Sequence, residues 1–212
     1  MKKKKIIIIV ACILVIGIIA GGVYFFTHRN RSVGFDSSIE NVDNKVASVD
    51  MNGKKVLVVY FSESGNTQKL AKTISDQVGG DFRRIEPVVE YPKGQDLYNY
   101  TEKERDNDGR PEFKDLGVNP EDYDVVFVGY PMWWYTLPMI MYTFFDEYDL
   151  SGKTVVPFNT HEGSGDGGTY DTIKSFEPNA TVLEGLPIRG GDMLSDQTQT
   201  VSQWLSRIGY AK

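Results

Sequence analysis

Lys54-Lys55-Val56-Leu57-Val58-Val59-Tyr60-Phe61-Ser62-Glu63-Ser64-Gly65-Asn66-Thr67-Gln68-Lys69-Leu70-Ala71-Lys72-Thr73-Ile74 decides the fold. Its first part is a short apolar run rich in β-branched and aromatic residues, the composition of a strand. From Gln68 onward the apolar spacing becomes helical. Between the two lie small hydroxyl residues and one glycine. A strand that passes through such a loop into a helix builds a cradle for an anion: the first N–H groups of the helix point outward and its dipole favours negative charge there. The hydroxyls of Ser62, Ser64 and Thr67 can donate as well. The loop has no Lys or Arg, and Glu63 adds a negative charge. Neutral donors of this kind suit a single monoester phosphate better than a triphosphate with magnesium, and no Gly-Lys-[Ser/Thr] is present. A plain helix cap needs one Ser, Thr or Asn, not several.

Beyond the loop, short apolar runs alternate with helical stretches. Further strands are expected at Gly80 to Pro87, Asp124 to Tyr130, Lys153 to Asn159 and around Ala180 to Leu183, with helices near 66–79, 137–148, 167–176 and 193–209. The run at 124–130 does not alternate, as expected of a strand buried on both faces. Strands separated by helices imply right-handed crossovers and a parallel sheet covered on both sides, an α/β doubly wound domain. Residues 88 to 122 fit this least well: Tyr91, Tyr98, Tyr100 and the charged run 102–108 suggest a short helix in a long polar connection.

In open parallel sheets, ligands bind at the carboxyl ends of the strands. Three loops leave such ends. The first is Ser62 to Thr67. The second, Tyr130-Pro131-Met132-Trp133-Trp134-Tyr135-Thr136, carries three adjacent large aromatics. The third, Thr160-His161-Glu162-Gly163-Ser164-Gly165-Asp166-Gly167-Gly168, has four glycines and two hydroxyls. A phosphate cradle, aromatic planes and a loop that permits close backbone approach together describe a flat heterocyclic nucleotide such as flavin mononucleotide (FMN).

Ser62-Glu63-Ser64-Gly65-Asn66-Thr67 resembles the hydroxyl-x-hydroxyl-Gly-x-Thr phosphate loop of flavodoxins. Gly129 to Tyr135 and Pro157 to Gly168 are similar to a flavodoxin subgroup whose second loop carries Pro-x-Trp-Trp. Ala180 to Gly190 is similar to that subgroup's last strand and its exit. The resemblance spans about residues 54 to 209. It implies a three-layer α/β/α fold, a five-stranded parallel sheet in the order 2-1-3-4-5, and non-covalent FMN. On this basis Ser62, Glu63, Ser64, Gly65, Asn66 and Thr67 surround the phosphate. Pro131, Met132, Trp133, Trp134 and Tyr135 flank the ring, with Trp133 or Trp134 stacked on it. Thr160, His161, Glu162, Gly163, Ser164 and Gly165 approach its polar edge. No catalytic side chain or metal ligand is expected, since the flavin would carry the redox chemistry. His161 and Glu162 depart from the small residues usual in that loop, and His161 could couple protonation to reduction.

The N-terminus adds an element ordinary flavodoxins lack. After a basic flank (1–5), residues 6–26 form 21 uncharged residues ending in Tyr24-Phe25-Phe26, long enough for one transmembrane helix and longer than a signal-peptide core. A lipid-attachment box ending at Cys12 would leave only six apolar residues ahead of it. The basic residues Lys2 to Lys5 predict a cytoplasmic N-terminus and an extracytoplasmic domain. Residues 27–52 read as a polar linker and 53–212 as the FMN-binding domain. Cys12 is the sole cysteine, so the domain has no disulfide, zinc thiolate or cysteine nucleophile. Of 23 basic residues 7 precede Gly53, and of 29 acidic residues 4 do, leaving a net charge of −9 on the domain. That excludes nucleic acid as a natural partner and favours redox partner proteins or small electron donors and acceptors. It also disfavours an anionic reduced flavin and so lowers its potential. The expected function is a membrane-tethered electron carrier. The rivals are an FMN-dependent NAD(P)H:quinone-type oxidoreductase and a flavin-free interaction module.

Overall fold

The protein, a computed structural model, is described at Met51 and over residues 53–210. The expected anchor, its basic flank and nearly all of the linker lie outside these residues. Among the described residues, no helix is long and apolar enough to cross a membrane.

In chain order the elements are β1 (Val56–Tyr60), α1 (Asn66–Val78), β2 (Asp81–Arg84), α2 (Gln95–Asp106), β3 (Val125–Pro131), α3 (Met139–Glu147), β4 (Thr154–His161), α4 (Thr169–Phe176), β5 (Thr181–Val182), β6 (Leu186–Arg189) and α5 (Thr198–Arg207). All strand pairings are parallel, and the path reads β2-β1-β3-β4-β5, with β6 also on β4. The 2-1-3-4-5 order expected from the resemblance is therefore observed.

Alternation along the central strands separates two cores. Val56, Val58 and Tyr60, with Phe127 and Phe158, pack against Leu70, Ala71, Ile74 and Val78 of α1 and Val201, Trp204 and Leu205 of α5. Leu57, Val59, Val126, Val128 and Tyr130 face the other way, onto Ile140, Met141 and Phe144 of α3 and Ile173 of α4. Every residue of β1 is buried, as is β3 up to Tyr130. A strand sandwiched between two helical layers needs apolar residues on both faces, which explains the unbroken runs.

The expected fifth strand is in fact two segments. Thr154 pairs with Thr181, whereas Phe158 pairs with Leu186, so four steps along β4 meet five on its neighbour. Carbonyls of Lys153 and Val155 accept from Thr181 and Leu183, while Thr154 donates toward β3. Alternation thus turns Pro157 toward the β5–β6 side, where it has no N–H to give. The ladder breaks there and resumes one residue out of step, as a bulge does.

Candidate functional site

The chain leaves β1 for β2 on one side and later returns to place β3 on the other, so strand order reverses between β1 and β3. The loops after β1, β3 and β4 all open at that edge. Together with α2 they enclose a cleft of about 720 Å³, lined by residues of all three loops. That size lies within the usual range for small-molecule sites, about 300–1,000 Å³.

The first loop divides its hydroxyls between structure and surface. Ser62 is buried, and its Oγ accepts the Gly65 N–H at 3.2 Å. Thr67 is buried, and its Oγ1 lies 2.8 Å from Thr160 Oγ1, tying the loop to the end of β4. Two hydroxyls sharing one hydrogen bond leave one O–H free to donate, and Thr160 lines the cleft. Glu63, Ser64 and Asn66 also line it. Gly65 precedes α1 in the left-handed conformation, and no side chain caps the helix. The first N–H groups of α1 therefore remain available as donors. The positive charge missing from the loop arrives from elsewhere. Arg84, at the end of β2, donates to the Ser62 carbonyl at 2.8 Å, and Lys93 pairs with Glu63.

The second loop closes on itself through Trp133 N–H to Thr136 O (3.1 Å) and Thr136 N–H to Trp133 O (2.9 Å). Its central residues, Trp134 and Tyr135, have φ of 53° and 61°, the signature of a type I′ turn normally made by Asn-Gly. Trp133 packs edge-on to both Phe61 and Tyr91, with ring centroids 5.3 Å apart in each case. Trp134 turns to α2, where its Nε1–H donates to Thr101 Oγ1 at 3.0 Å. Tyr135 stands 79% exposed at the rim. All five expected residues, Pro131 to Tyr135, line the cleft.

The third loop is pinned from below. Asn159, fully buried, donates to the Gly165 carbonyl (3.0 Å) and accepts from the Tyr170 hydroxyl (2.5 Å). Tyr130 donates to Thr169 Oγ1 at 2.8 Å, which in turn donates to the Asp166 carbonyl at 2.6 Å. Burial pushes the phenols of Tyr130 and Tyr170 up, so both stay protonated donors. His161 Nδ1 accepts the Gly163 N–H at 2.9 Å, which leaves Nε2 as the donor nitrogen of the neutral ring. Glu162 bends toward the first loop: a Cβ on Gly190 would stand 2.2 Å from its Oε1 and 3.0 Å from Asn66 Nδ2. A larger residue at 190 would push the Glu162 carboxylate aside. His161, Glu162, Gly163 and Ser164 line the cleft, whereas Gly165 lies behind it and commits its carbonyl to Asn159.

Of the expected site residues, then, Ser62, Gly65, Thr67 and Gly165 support the cleft and the others line it. Leu97, Tyr98 and Thr101 of α2 line it too, and none of them was among the expected cofactor-binding residues. Behind Tyr91, Glu104 accepts the Tyr91 hydroxyl at 2.9 Å; burial raises its carboxyl above the ordinary 4.5, against the pull of that bond. The tyrosines at 91, 98 and 100 were the available sequence signal.

The residues present fit FMN: neutral side-chain and backbone donors on the first loop and α1, indole and phenol planes on the second loop, and backbone with one imidazole on the third. Among the described residues no metal-ligating cluster exists. Fold and cleft thus define a doubly wound α/β protein shaped for a flat, singly phosphorylated ligand at the carboxyl edge of its sheet. A sequence model described as flavodoxin matches residues 55–208, and the chain belongs to that family. A protein from Bacteroides eggerthii described as a flavoprotein is 34% identical, with a TM-score of 0.63 over 73% of this chain and 98% of its own. One from Bacteroides uniformis, described likewise, is 29% identical, with a TM-score of 0.65 over 73% and 99%. A Lactobacillus acidophilus flavoprotein solved in complex with FMN shares the fold at 17% identity, with a TM-score of 0.53 over 66% and 96%. No curated protein matches the chain.

Proposed function

We propose that this flavodoxin-family chain binds FMN without a covalent bond and carries electrons between redox partners at a membrane surface. The observation that carries the reading is the convergence of the three loops on one cleft, which brings the donors of the first loop and the aromatic planes of the second to a single site. Ser64, Asn66, the Thr67–Thr160 pair and the first amides of α1 would hold the phosphate. Trp133, Trp134 and Tyr135 would cover the ring, and the backbone of 163–164 with His161 would meet its polar edge. FMN supplies one- and two-electron chemistry; the chain orients it and controls solvent access. The Pro-x-Trp-Trp character of the second loop supports placement in that flavodoxin subgroup.

The apolar residues 6–26 support an anchor with the N-terminus in the cytoplasm and the domain outside, where partner proteins or small donors and acceptors would meet it. Protease treatment of intact cells tests this: an extracytoplasmic domain is cleaved, and a protected one reverses the orientation.

A visible absorption spectrum of the purified protein, before and after titration with FMN, tests cofactor binding. Bands of bound flavin are expected. A colourless protein that takes up no FMN would sink the redox reading and leave the flavin-free interaction module. One observation favours a second role, the FMN-dependent NAD(P)H:quinone-type oxidoreductase: the cleft extends past the three loops to Leu97 and Tyr98 of α2, giving room for a small substrate. Steady-state oxidation of NADH or NADPH with a quinone would favour the oxidoreductase; no turnover favours the carrier.

A further inference from the structure

We infer that α2 is the positioning helix for the Trp134–Tyr135 turn, and that Thr101 is the positioning residue that seats Trp134 as a wall of the FMN site; this rests on the FMN binding proposed above. The turn is unfavourable on its own. Both central residues carry large side chains at positive φ, where glycine or asparagine is the usual occupant. Something outside the turn must hold it.

The contacts on Trp134 come from one face of α2. Tyr98, Thr101 and Arg105 are spaced three and four apart, so they stack along the same side of the helix. Thr101 Oγ1 donates its own proton to the Leu97 carbonyl at 2.8 Å and accepts the Trp134 indole N–H at 3.0 Å, which fixes both ring and hydroxyl. The Arg105 guanidinium lies 5.1 Å from the indole centroid, braced by Asp106 at 2.6 Å. Tyr98 meets the indole edge-on, with centroids 6.4 Å apart. The neighbouring indole is tied to the same helix through one intermediary: Tyr91, edge-on to Trp133, donates its hydroxyl to Glu104.

Burial within α2 points to the same role. Thr101 is the helix's one buried residue, and it is the residue that grips Trp134. The helix therefore contributes little to the two cores and much to the turn. Without the grip, the flavin-free protein spreads over other turn conformations. FMN then has to select the competent one, and its apparent affinity falls by the fraction that remains competent.

Thr101→Val removes the acceptor at nearly constant volume, Thr101→Ser restores it, and Trp134→Phe removes the donor while leaving α2 intact. The readouts are FMN dissociation constants and, in the flavin-free protein, the Trp134 indole ¹⁵N–¹H resonance. T101V is expected to shift that resonance and weaken FMN binding roughly threefold to tenfold, the worth of one hydrogen bond. T101S should bind close to wild type, and T101V/W134F no more weakly than W134F alone. The inference is overturned if T101V binds FMN as tightly as wild type, or if it weakens binding equally in the W134F background. Should T101V not fold, W134F decides alone, since wild-type affinity in W134F overturns the inference. A wild-type protein that takes up no FMN overturns both readings, whereas a failure confined to the variants overturns the positioning role only.

Discussion

Ser62 and Thr67 illustrate how a hydroxyl that looks like a ligand donor can be spent on building the loop that holds the donors. Thr67 and Thr160 share one buried hydrogen bond across 93 residues of sequence. Removing one partner strands the other in a buried site, which costs about 1–3 kcal/mol, whereas removing both is nearer neutral. Thr67→Val should therefore destabilise the protein by about that range, and T67V/T160V by less than the sum of the single changes; urea unfolding measures it, and strict additivity would contradict the pairing. Glu104 poses a different question, because burial lifts its carboxyl above 4.5 while the Tyr91 hydrogen bond pulls down. The folded state then binds this proton more tightly than the unfolded chain. Its contribution to stability is complete below pH 4.5 and is lost as pH rises through the raised folded value. Glu104→Gln keeps an acceptor for Tyr91 and cannot ionise. The melting temperature of wild type relative to E104Q should fall as pH rises above 4.5, and a flat difference between pH 4 and 7 would show that the burial effect is absent.

At the scale of elements, the central strands leave little freedom. Gly129 on β3 lies opposite Phe158 on β4, and a Cβ there would sit 2.1 Å from the Phe158 ring, far inside any real contact. Gly129→Ala should cost about 1–3 kcal/mol through overpacking, and Phe158→Leu in the same chain should recover part of it; thermal unfolding of the single and double variants checks the compensation. These strands were legible because burial on both faces demands unbroken apolar runs, and the three loops because small, aromatic and glycine residues cluster at strand ends. Helix α2 was legible only as a short helix, since its sequence is mostly polar and its one buried residue, Thr101, is not apolar. Its purpose depends on Trp134, 33 residues away, and no local pattern encodes that. The same limit hid Arg84 behind the first loop and Gly190 beside Glu162. The Trp134–Tyr135 turn escaped for the opposite reason: its residues argue against the backbone they adopt, and tertiary contacts override them. The break between β5 and β6 follows from Pro157, visible in the sequence, but only the pairing direction shows which neighbour loses a donor.

Over the whole molecule, charge sets the terms on which the proposed cofactor would exchange electrons. The domain carries a net charge of −9 and, among described residues, most ion pairs are exposed, such as Lys72–Asp76 and Lys174–Asp171. Exposed pairs contribute little to stability, and they leave the long-range field essentially to the net charge. The cleft edge adds to that field, since its lining includes Glu63 and Glu162 but no Lys or Arg. Lys93 compensates only Glu63, Arg105 is already paired with Asp106, and Arg84 sits behind the first loop on the Ser62 carbonyl rather than in the lining. A cationic oxidant should therefore be drawn toward the flavin edge and an anionic one repelled. With the bound flavin reduced beforehand, reoxidation by hexaammineruthenium(III) should be fast at low salt and slow as ionic strength rises. Reoxidation by ferricyanide should show the reverse trend. Because the Debye length shrinks from about 30 Å at 0.01 M to about 10 Å at 0.1 M, most of both effects should appear within that interval. Stopped-flow absorbance across a salt series measures the two slopes. Slopes of the same sign would mean that the field at the cleft differs from the field of the whole domain, and that partner choice is set by local contacts rather than by net charge.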